Sequence, residues 1–570
     1  MALAALLGCS GKPAEPAGVP RLLITHTENL SGNPALDGVA RAISHLVRAQ
    51  LSGSAALAVF EAGDATEAAS RRASRIVRSW LELNGDRLSL HVNIRSAEGK
   101  TLEQWESSAL AAEGPSPLAS TIVKKVAPAT AAAAPLPAEA AALFGNALSQ
   151  PPAAAIPLLE RVVTQAPAWG DAYFLLGANL TASGRAADAR NVWTAGIARA
   201  SSEISKARMQ AALATAENDS AKAADATEKL ATLLPAEPEL AMQAGNLRLA
   251  RSDFAKAASL MSIAVKSEPA VGEWWNQLAF TQAFAGDAAA ARQSIARYTA
   301  LAPHSANPSD SLGEIEFLLG RFPESSAGFL SAYQREPEFL SGATLFKSAQ
   351  ALLLAGNAAA AEKEFNRYLQ GPLKSHPQQA LYRLRWLYRT GKKAEALQQA
   401  AALAANAATP PDIASAALAQ AAFWHLTAGD RAKAFETARN ALQKAQSPPA
   451  KREALIAFFL AQPSAGVEEW KRRAGGKPTD DLLALALVFD RKWTDALPVL
   501  QRLVTGTHPF RAGHWRVLYA WALVETGARD KAGEWLRWYP IPLSSGEPAI
   551  ELLALEKVTE LRAQVLSRKG

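Results

Sequence analysis

The sequence predicts a mainly α protein, a superhelical solenoid of antiparallel helix pairs preceded by a small α/β domain. Three observations carry this expectation. From about residue 138 the chain is self-similar at intervals of about 34 residues, the signature of stacked supersecondary units. Alanine dominates the same region, and it is both the best helix former and small enough to let helix backbones approach closely. Residues 20–128 differ, because apolar residues there alternate in places with a period of two, as on a half-buried strand.

Composition narrows the classes of function. A chain of 570 residues exceeds one compact core, so several domains or an extended repeat array is expected. Its 60 basic and 53 acidic residues are interspersed, giving a net charge of +7. That mild excess lacks the dense basic stripe of a nucleic-acid binder, and no nucleic-acid partner is expected. Cys9 is the one cysteine, which excludes intramolecular disulfides and cysteine zinc sites. No run of about 18 apolar residues occurs that could span a bilayer.

The first segment, residues 1–19, opens with a short apolar run ending in Leu6-Leu7-Gly8-Cys9 and continues as a Pro-, Gly- and Ala-rich stretch. The run resembles a bacterial lipobox. That resemblance implies that the Cys9 thiol is acylated and becomes the new N-terminus, with Ser10–Pro20 as a flexible tether. A lipoprotein leader has a positively charged start, and none is present, so the natural start is expected upstream of Met1. Ser10 stands where an Asp would favour inner-membrane retention, so the resemblance points to the periplasmic face of the outer membrane. If Cys9 is not acylated, the expected location is cytoplasmic.

Residues 20–128 form the α/β domain. Arg21–Thr27 reads as a strand, followed by the turn cluster Asn29–Pro34. Val39, Ile43, Leu46, Val47 and Leu51 then share one helix face. Ala56–Phe60 is a second strand, and Ile76–Leu83 and Leu88–Arg95 flank the hairpin signal Asn84-Gly85-Asp86. Residues 101–108 add a strand and Leu118–Val126 a closing helix. The string Glu28-Asn-Leu-Ser-Gly-Asn-Pro34, with Asp37-Gly38 opening a helix, resembles the start of TolB-like amino-terminal domains. The resemblance implies a small mixed sheet with no catalytic residues. Glu28 and Asp37 are read as turn and N-cap chemistry, not as a metal site. An Ala/Pro-rich linker at 129–137 leads out of this domain.

The repeats occupy 138–545. The clearest unit places Trp275, Leu278, Ala279 and Gln282 on one helix, Gly286-Asp287 at the turn, Ala291, Ile295 and Tyr298 on a second helix, and Pro303 at its end. Further units turn at Gly184, Gly320, Gly356, Gly391, Gly429 and Gly527, with degenerate copies at 154–167, 204–235 and 480–508. Residues 449–475 are helical but off this pattern, and 546–570 form a terminal helix suited to cap the stack. This grammar resembles the tetratricopeptide-repeat (TPR) family.

That resemblance implies a concave groove lined by the first helix of each pair, where proteins or peptides bind. Positions one residue after the core positions select Arg385, Tyr388 and Arg389, beside Lys392 and Lys393, and also Asn246, Asn276, Phe280, Phe423, His514 and Trp521. Arginine beside aromatics suits an acidic or C-terminal carboxylate ligand, because guanidinium binds carboxylate bidentately. No enzyme signature accompanies these residues. There is no G-x-S-x-G elbow, Gly8–Lys12 is too short for a P-loop, and His508 and His514 are not spaced for one helix face. No metal, cofactor or catalytic residue is expected. Two functions remain: a lipid-anchored envelope scaffold that recruits proteins, or a sensing module whose α/β domain binds a ligand and whose repeats relay it.

Overall fold

The computed structural model describes residues 20–54, 56–130, 135–505, 509–510, 512–541 and 548–566. Cys9, His508 and the amino-terminal tether lie outside the described residues. The chain divides into two compact units: one runs to Arg248 and includes Lys256–Trp274, the other holds Leu249–Ala255 and Trp275 onward.

The first unit opens with a six-stranded sheet: β1 (Arg21–Thr25), β2 (Glu28–Asn29), β3 (Ala58–Ala62), β4 (Arg75–Asn84), β5 (Arg87–Ser96) and β6 (Thr101–Leu110). The strand order is β3-β1-β4-β5-β6, with β2 beside β4. Parallel pairing of β1 with β3 and β4 requires crossovers, and α1 (Asp37–Leu51) supplies the first. Residues 56 and 57 fall outside β3, because the β1 register pairs Arg21 with Ala58 and Thr25 with Ala62. The β4–β5 hairpin closes at Gly85, whose φ of +66° favours glycine. α1 and α2 (Ser116–Val126) cover one face, burying Ile43, Val47, Leu118 and Ile122 against Val77, Leu81, Leu90 and Val92.

The helix pairs begin with α3 (Ala138–Leu148), which crosses α1 through facing glycines, Gly38 and Gly145. It pairs with Pro152–Gln165. Next come Gly170–Ala182 with Ala186–Arg199 and Glu203–Ala216 with Ser220–Leu233. A buried ion network ties the sheet to the repeats. Arg21, 5% exposed, bonds Glu268 at 2.9 Å, Glu239 at 2.7 Å and the Arg71 carbonyl at 2.7 Å, beneath the Phe60 ring.

The second unit stacks Asn307–Leu318 with Phe322–Arg335, Ala343–Leu354 with Ala358–Gln370, Gln379–Arg389 with Lys393–Ala405, and Pro411–Thr427 with Arg431–Lys444. Pro448–Ala461 and Pro463–Ala474 follow, joined through Gln462 alone, which accounts for the off-pattern reading of this stretch. Asp480–Phe489 with Trp493–Val504 and Gly513–Glu525 with Arg529–Trp535 complete the pairs.

Two features of this unit were not visible in the sequence. One is the buried triad of Lys347, Asp310 and Glu314, in which the Lys347 Nζ sits 2.8 Å from both Asp310 oxygens and 2.6 Å from Glu314. The other is the return of the chain after its last pair. Trp538 donates to the Ala283 carbonyl at 3.2 Å, and Tyr539 N–H donates to the Leu318 carbonyl at 3.0 Å. Trp538 also closes a cage of Phe254, Trp535 and its own ring around the buried Arg516. Desolvation, aided by the charge of Arg537, lowers the Arg516 pKa to about 10.

The terminal helix, Pro548–Leu566, does more than cap the last pair. Leu553, Val558 and Leu561 join the core containing Phe423 and Leu518, whereas Leu555 joins Phe317, Phe329 and Ala351. Glu556 pairs with Lys393 at 3.3 Å. The helix therefore lies across the turn ends of several earlier first helices, because those ends present an apolar row that its own apolar residues can cover.

Candidate functional site

The residues selected from the sequence separate into three groups. Tyr388, Phe423 and His514 are core residues, at 3%, 5% and 7% exposure. Tyr388 stacks on Trp424 at a centroid distance of 4.6 Å, and Phe423 packs with Ala434 and the terminal helix. Burial depresses the His514 pKa to about 4, leaving it neutral at ordinary pH. Their removal from the groove has one cause. A first helix in mid-stack is covered by its own second helix and by its neighbours, so a face that looks free on one helix is closed by another. Pro411–Thr427 shows this most fully, with Ala414–Ala417 and Ala419–Trp424 all buried.

Phe280, Asn276 and Trp521 are half-buried, and the two aromatic residues are engaged within the second unit. Phe280 meets Phe510 edge-on, and Trp521 packs on Trp493 and donates to Glu525 at 3.0 Å. The Asn276 Oδ1 has no hydrogen-bond partner among the described residues. Asn246, in the other unit, is exposed.

Arg385 and Arg389 remain as a site. They sit on Gln379–Arg389, a helix without an acidic residue. Tyr382, Arg385 and Arg389 recur at helical spacing and form one stripe. The Arg385 guanidinium lies 5.4 Å over the Tyr382 ring, a cation–π contact that holds it extended. Its Nε is buried without a hydrogen-bond partner, and neither Arg385 nor Lys392 has an ion pair among the described residues. Lys393 does not join them, since Glu556 and the Tyr388 ring engage it. The stripe can therefore accept a carboxylate through a preoriented guanidinium. A fork of fixed donors loses less freedom on binding than a flexible ammonium would.

Sequence reasoning missed buried polar groups brought together by packing: Lys347, paired with Asp310 and Glu314; Arg48, paired with Glu61; and Arg208 and Glu237, which face one cavity. None of these carried a local signal, because the groups that face them come from other elements of the fold.

The fold is a TPR-like stack of helix pairs behind a six-stranded α/β domain, a class defined by the pairing, turns and sheet described above. No protein-family model matches the chain, and no curated protein does. Solved structures do match. The C-terminal part of a TPR repeat-containing protein from Cytophaga hutchinsonii shares 10% identity over 42% of this chain and 95% of its own, at a TM-score of 0.33. A tetratricopeptide repeat protein from Parabacteroides merdae shares 11% over 51% and 98%, at 0.30. The MamA protein shares 17% over 29% and 90%, at 0.25. The helix-pair architecture stands on this chain's own geometry, independently of those scores.

Proposed function

We propose that this protein is a non-enzymatic scaffold that binds an acidic protein segment through the Tyr382–Arg385–Arg389 stripe. The observation that carries the reading is the Arg385 guanidinium, half-buried over an aromatic ring with its Nε unsatisfied. With no ion pair of its own among the described residues, this guanidinium can give a carboxylate charge-assisted hydrogen bonds from its terminal nitrogens. The test is fluorescence anisotropy with a labelled hexaglutamate peptide bearing a free C-terminus. Arg385→Ala is expected to weaken binding about tenfold, the loss of roughly one charge-assisted hydrogen bond. Asn246→Ala, on the other unit, is expected to leave it unchanged. Equal affinity in wild type and Arg385→Ala would remove the stripe from the proposal.

The finer reading places the scaffold in a bacterial envelope. It is supported by the apolar run ending at Cys9 and by the Pro/Gly-rich stretch after it. Among the described residues no helix is long and apolar enough to cross a membrane, so a covalent lipid at Cys9 is the anchor proposed. Cells fed a radioactive fatty acid are expected to label the wild-type protein and not Cys9→Ser. Equal label in both would end the anchor proposal.

A further inference from the structure

In the first unit, a cavity of about 310 Å³ opens between the α/β domain and the first repeats. This volume falls at the lower end of small-molecule sites. One wall is apolar, built from Phe144, Phe174, Leu230 and Leu234, while Arg48, Arg208, Asp171 and Glu237 face it from the other side. A second cavity of about 570 Å³ shares Asp171 and Arg208 with the first. It is the more polar of the two, lined by Ser52, Ser116, Ser120 and Gln50, whose Oε1 has no hydrogen-bond partner among the described residues. Arg208 thus stands where the two cavities meet.

The acids here are unequally occupied. Glu61 receives Arg41, the Arg48 Nε at 3.5 Å and His45 at 3.4 Å. Asp171 accepts from the Ser205 hydroxyl at 2.7 Å and faces His45 at 3.3 Å. Burial pushes the Asp171 carboxyl up, but the His45 hydrogen bond and the charges of His45, Arg208 and Arg48 more than offset it and hold it below its ordinary value. Arg208, by contrast, makes no hydrogen bond or ion pair among the described residues, and the Glu237 carboxyl makes none either. Burial and the like charge of Arg48 lower the Arg208 pKa, against the pull of Asp171 and Glu237. Burial raises that of Glu237. The Arg208 and Arg48 guanidiniums neighbour each other beside the apolar wall, and of the two only Arg48 has an ion pair among the described residues.

We infer that this cavity binds an apolar monocarboxylate, with the carboxylate on Arg208 and Arg48 and the apolar body against Phe144, Phe174 and Leu230. A planar singly charged group matches a guanidinium bidentately, whereas a dianion such as phosphate would meet Asp171 and Glu237 at close range. The site lies in the first unit and is independent of the stripe on Gln379–Arg389, so either reading can fail alone.

The experiment is calorimetric titration of the full chain with sub-micellar decanoate, compared with decan-1-ol. Decanoate is expected to bind once per chain and to raise the melting temperature, and decan-1-ol to bind about tenfold or more weakly. Arg208→Met is expected to lose about tenfold or more in decanoate affinity while melting no lower than wild type without ligand, since it removes an unpaired half-buried charge. No decanoate binding by wild type would overturn the site, as would equal affinity for decan-1-ol. Unchanged binding by a folded Arg208→Met chain would overturn it too. The comparison of acid with alcohol on the wild-type chain decides the matter even if the variant does not fold.

Discussion

Lys347→Ala is expected to destabilise the second unit by about 3–5 kcal/mol, the cost of leaving buried acids without their counter-charge. Lys347 has its ammonium within hydrogen-bond distance of both acids and lies 5.0 Å over the Phe329 ring. Asp310 and Glu314 are themselves buried, so water cannot replace the lost cation. A chemical-denaturation midpoint close to wild type would show that the triad is not the brace its geometry indicates. The triad also sets a pH signature. Burial pushes Glu314 up to about 7; Lys347 pulls it down and Asp310 pushes it further up. Asp310 is raised as well, by burial against the pull of Lys347. A carboxyl whose folded pKa exceeds its unfolded value binds its proton more tightly when folded. Its contribution is complete below the unfolded value and lost as pH rises through the folded one. Stability is therefore expected to fall between about pH 5 and 7.5, and Glu314→Gln, which cannot ionise, to flatten that slope. A slope unchanged in Glu314→Gln would assign the titration elsewhere.

Gly145→Ala is expected to be nearly as damaging, at about 3 kcal/mol or more. A Cβ built on Gly145 would lie 1.8 Å from the Gly38 carbonyl oxygen and 2.9 Å from the Ala42 nitrogen. Both are backbone atoms of α1, so no side chain can rotate away and the two helices must separate. Separation is costly on both sides, because α1 seats Ile43 and Val47 on the sheet while α3 seats Phe144 in the core of the first repeats. Gly63→Ala is the matched control, with nothing within 4 Å of its added Cβ, and is expected to change stability by no more than about 0.5 kcal/mol. Thermal melts followed by circular dichroism distinguish the two. Equal melting temperatures for both variants would mean that the α1–α3 crossing is looser than described.

The sequence by itself determined the local elements, because each rests on a short-range physical rule. Period-two alternation from Leu88 to Ile94 specified a strand, and Asn84-Gly85-Asp86 its hairpin, but the face expected to be wet is covered as well, with Ser89 and Asn93 buried. Gly286 and its counterparts marked the turns between paired helices, since φ near +87° favours glycine. Where a turn dispensed with glycine the reading faded. Asn218 and Arg491 adopt the same left-handed backbone, at φ of 57° and 55°, inside the stretches that looked degenerate. The turns close through local backbone bonds all the same, Asp219 N–H to the Ala214 carbonyl and Lys492 N–H to the Leu487 carbonyl, so the helix end survives without the glycine that would mark it.

Tertiary structure alone decided which helix faces stay open and which charges meet. Helical periodicity reports that one side of a helix is apolar, but not how many other helices will cover the remaining sides. Tyr388, Phe423 and His514 therefore look like groove positions and lie in the core, while Arg385 keeps its place beside Tyr382. The meeting of Arg208 with Arg48 and Glu237, and of Lys347 with Asp310 and Glu314, depends on packing between repeats and across the α1–α3 crossing. Contacts of that kind join residues far apart in the chain, and no local pattern encodes them.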